Sequence, residues 1–168
     1  VAPSDIHQQH DGPDGVDAPT IAAMTEALED EYKARATSRA VIAAFGPTRP
    51  FINIVEAEAR HAGALLKLFD RFGLTPPVDN WAERVNVPES LTAACADAVA
   101  GEIENAEMYD RLLAQVDHPA VRRVLQNLQA ASRDNHLPAF QRCLQRENSG
   151  GRGGGEAGHQ RRERRRGR

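Results

Sequence analysis

Apolar residues recur at steps of three and four along most of the chain, the period of a helix with one buried face. Thr20 is placed to cap a first helix running to about Phe45, with Met24, Leu28, Glu31, Arg35, Ser38, Ile42 and Phe45 on one stripe. Gly46-Pro47-Thr48-Arg49-Pro50 ends it and starts the next, since glycine closes helices and proline suits their first turn. The second helix lines up Ile54, Leu65, Leu68 and Phe72 and stops at Gly73. Residues 74–87, with Pro76, Pro77, Asn80 and Trp81, read as an extended connection. Pro88 opens a third helix whose stripe is Leu91, Cys95, Ala98, Glu102, Asn105, Tyr109, Leu112 and Val116. Asp117-His118-Pro119 marks a turn. The fourth helix then runs from about Ala120 to Arg146, with Val121, Leu125, Leu128, Ser132, His136, Ala139 and Cys143 inward. Pro138 lies inside it and predicts a kink or a locally freed carbonyl.

These elements predict an all-α four-helix bundle. The short connections pair helices one with two and three with four as antiparallel hairpins. A helix of about 23 residues is roughly 35 Å long, and a linker of about 14 residues reaches roughly 50 Å at most. The connection between helices two and three is therefore long enough to cross the whole bundle, and Trp81 is placed to pack over its side as a plug. The domain organisation reads as a flexible acidic segment over 1–19, the bundle over 20–147, and a disordered Gly/Arg-rich tail over 148–168.

The stripes are interrupted by residues that do not belong in an apolar core: Glu31, Glu58 with His61, Glu102, and His136. A buried carboxylate or imidazole costs several kcal/mol, roughly, unless it is satisfied. Counted from the turns, all five fall near mid-height, one set on each of four helices. Clustered carboxylates repel unless a cation or protons neutralise them. Glu58-x-x-His61 is also the spacing by which helical bundles aim two ligands at one ion. Asn105, one turn after Glu102, can add a carbonyl ligand or support one through a hydrogen bond. Cys95 and Cys143 fall at matching heights on adjacent helices, so either a disulfide or two buried thiols fits. His7 and His10 beside Asp5 and Asp11 form a second, looser candidate for a metal.

Composition narrows the classes. Hydrophobic residues make up 40% and aromatics 5%, which suits helices better than a β-sandwich. No apolar run reaches the roughly 18 residues of a membrane span. The net charge is −3, but residues 1–19 carry four Asp and no Lys or Arg, while residues 149–168 carry seven Arg against two Glu. The mixed charge of the middle gives no expectation of nucleic-acid binding by the bundle, although the Arg-rich end could touch anionic surfaces. There is no Gly-rich phosphate loop and no Ser/His/Asp arrangement. Val1-Ala2-Pro3-Ser4-Asp5 has the look of a mature terminus after export, which favours a periplasmic or extracellular location.

Several segments carry a resemblance. Glu31-Tyr-Lys-Ala-Arg35 resembles the first-helix ligand segment of rubrerythrin-type proteins of the ferritin-like superfamily. Ala57-Glu58-Ala-Arg-His61 resembles their second-helix Glu-x-x-His, and Ala100-Gly101-Glu102 with Glu107-Met108-Tyr109 their third helix. Ser132-Arg133-Asp134-Asn135 followed by His136-Leu137-Pro138-Ala139-Phe140 resembles the last helix of a ferritin-like domain family of unknown function. The resemblance covers about residues 20–146. It implies a ferritin-like bundle with a long crossover between helices two and three. It also implies a metal site of Glu31, Glu58, His61, Glu102 and His136. Iron is the implied metal, as a pair or a single ion, with manganese or zinc as alternatives; oxygen or peroxide chemistry is the implied activity. A homodimer is compatible with this reading. The sequence departs from that pattern at Arg133, where a carboxylate is expected, and at Asn105; a shifted register would offer Glu104 or Glu107 instead of Glu102. The alternative is a metal-free structural or interaction bundle in which buried Glu and His, with Arg133 paired to a core Glu, fix helix register.

Overall fold

The computed structural model describes residues 15–150. Among them there is no strand. The helices are α1 (Ala18–Phe45), α2 (Phe51–Arg71), α3 (Leu91–Leu113), α4 (Pro119–Ala131) and α5 (Leu137–Gly150). Helices α4 and α5 continue one another through a wide π-helical turn, Ser132–His136, and together form the fourth rod of a four-helix bundle. A single 3-10 turn, Trp81–Glu83, lies in the crossover. The expectations for residues 1–14 and 151–168, including the His7/His10 candidate and the Arg-rich tail, lie outside the described residues.

The helix ends follow local chemistry. Asp17, not Thr20, caps α1: its carboxylate accepts the Thr20 N–H at 2.9 Å, and Thr20 itself is buried. Gly46 (φ 84°) and Gly73 (φ 63°) take the left-handed conformation that closes α1 and α2. Pro88 does not open α3. Ser90 caps it by accepting the Ala93 N–H, because a hydroxyl satisfies a free helical N–H and a proline ring cannot. At the turn before α4, Arg122 Nη1 donates to the free carbonyls of Leu113 and Val116, each at 2.6 Å.

Two apolar clusters fix the topology. One gathers Met24 and Leu28 of α1, Leu65 and Phe69 of α2, Leu112 of α3 and Leu125 of α4. The other gathers Val41 of α1, Phe51 and Ile54 of α2, Cys95 of α3, and Phe140 and Cys143 of α5. The first holds the C-terminal end of α2 and the second the N-terminal end of α3. Residues 74–90 therefore run the length of the bundle, and α2 and α3 are parallel. Trp81 seals this crossover: its indole N–H donates to Glu29 at 2.6 Å, and Arg84 stacks on the ring at 3.7 Å. Arg35, expected inward, instead reaches out to Asp79 of the crossover, and Val41 takes the buried place expected for Ile42 and Phe45. Cys95 and Cys143 are bridged, with Cα atoms 5.8 Å apart, and tie α3 to α5 inside the second cluster.

The wide turn explains the fourth rod. Its buried residues Leu128, Ser132, His136 and Phe140 follow at three successive steps of four. Each such step drifts about 40° on an α-helix of 3.6 residues per turn, so three would carry the last residue far off the face. The Leu137 N–H bonds to the Ser132 carbonyl, five residues back, and this looser turn absorbs the drift. Pro138 sits just beyond, where it has no N–H to offer a carbonyl four residues earlier. The turn also throws Arg133 outward. It pairs with its exposed neighbour Asp134 at 2.8 Å rather than with a core Glu.

Candidate metal centre

Between the two apolar clusters lies one polar layer. Glu31, Glu58, Glu102 and His136 are 3%, 3%, 8% and 6% exposed, as deep as the leucines around them; His61 is half-buried. Glu58 is the centre. One oxygen lies 2.9 Å from His61 Nδ1 and the other 3.1 Å from His136 Nδ1. His61 Nδ1 also faces Glu31 at 3.2 Å, and His136 Nδ1 faces Glu102 at 3.5 Å. The two imidazoles stack with centroids 5.4 Å apart. The order across the layer is therefore Glu31, His61, Glu58, His136, Glu102. All five residues singled out from the sequence are brought together. Glu102 is the third-helix member, whereas Glu104 and Glu107 are exposed.

Neighbours hold the ends of this chain. The Tyr109 hydroxyl donates to Glu31 at 2.6 Å, and the Ser132 hydroxyl donates to Glu102 at 2.5 Å. Arg133, where a carboxylate was expected, is exposed, and its neighbour Ser132 brings only a hydroxyl to the layer. Asp30 and Asn105 form a pair that the sequence reading did not join, the amide donating to the carboxylate at 2.5 Å. Asp30 adjoins Glu31, so the stripe pattern could credit only one of the two. The Asn105 carbonyl oxygen is buried without a partner.

Burial and charge set the protonation. Burial raises the Glu31 carboxyl to about 8, helped by the Glu58 charge and opposed by His61. Burial would also raise Glu58, but hydrogen bonds from His136 and His61 outweigh it and hold that carboxyl well below the usual range. Burial lowers both imidazoles, yet the carboxylates beside them prevail: Glu31 and Glu58 raise His61 to about 9, and Glu102 and Glu58 raise His136 to about 10. Burial lifts Asp30 too, and pushes the Tyr109 hydroxyl far up, with Glu31 adding to the latter.

Glu58, His61 and His136 each offer a ligand atom, all within 4.8 Å of one another, a group that could hold a metal ion. The donor set of carboxylate and imidazole suits iron, manganese or zinc. A cavity of about 450 Å³ opens onto the layer from between α1 and α3.

The family model for the uncharacterized protein domain DUF2202 matches residues 21–153. No curated protein matches the chain. Among solved structures, the crystal structure of hypothetical protein MJ0754 from Methanococcus jannaschii DSM 2661 is similar, with a TM-score of 0.68 and 22% identity, over 76% of this chain and 80% of that chain. At that identity the likeness concerns the fold.

Proposed function

The chain belongs to the DUF2202 domain family, and we propose that it is a ferritin-like metal-binding bundle whose polar layer holds a transition metal, iron first, with manganese or zinc as substitutes. Glu31, Glu58, His61, Glu102 and His136 are the proposed ligands. The observation that carries this is Glu58, a carboxylate fixed between two inward-facing imidazole nitrogens. A cation would take the place of the protons these imidazoles hold, with Glu58, Glu31 and Glu102 supplying carboxylate oxygens beside them. Tyr109 and Ser132 orient the outer carboxylates by the hydrogen bonds they donate. Bound iron would supply electron transfer to oxygen or peroxide, and the chain's own part is to hold the ligands and shield them from water. The single long crossover between parallel α2 and α3 supports the ferritin-like reading. The Cys95–Cys143 bridge supports an exported protein, because disulfides persist in oxidising compartments.

Elemental analysis of tag-free protein purified without chelator tests the proposal. Two irons per chain support a di-iron site, and one metal supports a mononuclear site. No metal, with no uptake of ferrous, manganous or zinc ions, refutes it. One observation favours the metal-free alternative: the layer's carboxylates and facing imidazole nitrogens already satisfy one another. Among the described residues, the only buried side-chain polar atoms without partners are on Asn105 and His118. That network lacks Arg133, so its register-fixing role would rest on the five Glu and His residues alone.

A further inference from the structure

We propose that the cavity between α1 and α3 binds a small, single-ring organic molecule with a hydrogen-bond donor, and that this molecule is the substrate presented to the Glu/His layer. The last clause rests on the metal-centre reading; the binding itself does not. Size is the first argument. At about 450 Å³ the cavity falls in the range of small-molecule sites. A water molecule's share of liquid is about 30 Å³, and peroxide needs on the order of twice that, so oxygen or peroxide would leave most of the space unused. The walls give the second argument. Glu58, His61, Glu102 and His136 form one side, while the partly exposed Ala34, Ala98 and Met108 offer apolar surface to a ring.

The opening exists because small residues face one another across it. Ala34 of α1 and Ala98 and Gly101 of α3 line it, and a Cβ placed on Gly101 would meet no atom within 4 Å. Asn105, also in the wall, spends its amide on Asp30 and leaves its carbonyl oxygen buried and unpartnered. Asp30 and Glu102 stand in the same wall, and a carboxylate there can accept a hydrogen from a ligand hydroxyl or amino group. Asp30, Asp97 and Glu104 around the cavity outweigh Lys33, since Arg111 is already paired with Glu26. That balance disfavours anions.

The test is calorimetric titration of the full chain with p-cresol, an apolar ring carrying a hydroxyl, and with 4-methylbenzoate, its anionic counterpart. Both the metal-free and the zinc-treated protein are titrated, and zinc uptake is measured separately. The expected result is p-cresol binding at least tenfold tighter than 4-methylbenzoate. Gly101→Leu should weaken p-cresol at least tenfold by filling the mouth, with zinc uptake unchanged. Ala34→Leu, which fills the cleft from the facing helix, provides a second variant should the first fold poorly. Absence of p-cresol binding, equal binding of the anion, or binding indifferent to both leucines overturns the proposal. Binding of p-cresol to protein that takes up no ferrous, manganous or zinc ion supports the cavity and overturns the metal centre; metal uptake without p-cresol binding does the reverse.

Discussion

Glu58→Gln is the most informative single change. It keeps the shape of the side chain and removes the charge that faces both imidazoles. In the metal-free chain Glu58 accepts from His61 at 2.9 Å and from His136 at 3.1 Å. Buried hydrogen bonds to charged groups contribute about 1.5–3 kcal/mol each. Each imidazole keeps one other carboxylate, Glu31 or Glu102, so the lower figure applies twice and the expected loss is about 3 kcal/mol. The pH dependence follows from the imidazoles. Both have folded values raised, to about 9 and about 10, above an unfolded value of about 6.5. Their stabilisation is therefore complete below about pH 6.5 and is lost as pH rises through the folded values. The Gln penalty should be largest near pH 6 and shrink toward pH 10. Denaturant unfolding of chelator-treated protein at several pH values measures it. A penalty under about 0.5 kcal/mol at pH 6, or one that grows with pH, would refute the assignment of Glu58 as the shared partner of two imidazolium groups. The same geometry means that Glu58 is not merely one of a set of repelling carboxylates. The carboxylate is held in place, so Glu58→Ala should destabilise the metal-free bundle too.

Other outcomes follow from the same structure. Metal affinity should rise between about pH 6.5 and pH 10, because the ion must displace protons from Glu31, His61 and His136; flat affinity over that range in zinc titrations would contradict the ligand set. Changing both Cys95 and Cys143 to Ala opens a closure with a sequence separation of 48. Chain-entropy arithmetic puts the loss at up to about 4 kcal/mol, read as a lower denaturation midpoint in non-reducing buffer. Tyr109→Phe removes the donor to buried Glu31 and should cost about 1–3 kcal/mol in the metal-free chain, measured by thermal or denaturant unfolding.

The helices, the crossover and the polar layer were legible because each depends on spacing. Apolar residues at three and four mark a buried face, and Glu58 or His136 on that face cannot be a solvated charge. What spacing could not give were features set by neighbours in space. Asp17 and Ser90 cap helices two or three residues from where Thr20 and Pro88 suggested, because capping depends on where the chain leaves its extended path. Arg133 was given a core partner because it stands three residues before His136, where the resemblance calls for a carboxylate, but the wide turn carries that position outward. The run Leu128, Ser132, His136, Phe140 held the clue, three steps of four in succession, but it becomes decisive only when Phe140 rather than Ala139 is known to be buried. The pairing of Asp30 with Asn105 joins α1 to α3 across the bundle, and no local pattern encodes it.

The wide turn at Ser132–His136 also decides where the fourth rod yields. Arg133, Asp134 and Asn135 are exposed, and Pro138 leaves the carbonyls beneath it short of one donor. On either side the rod is secured, by the Arg122 hydrogen bonds at its start and the disulfide near its end. Helices usually fray from their tips inward. In this rod, amides around the wide turn are instead expected to exchange faster than those of the anchored turns on either side, which native-state hydrogen exchange would measure. Breathing of that kind would expose the polar layer to solvent without unfolding the bundle.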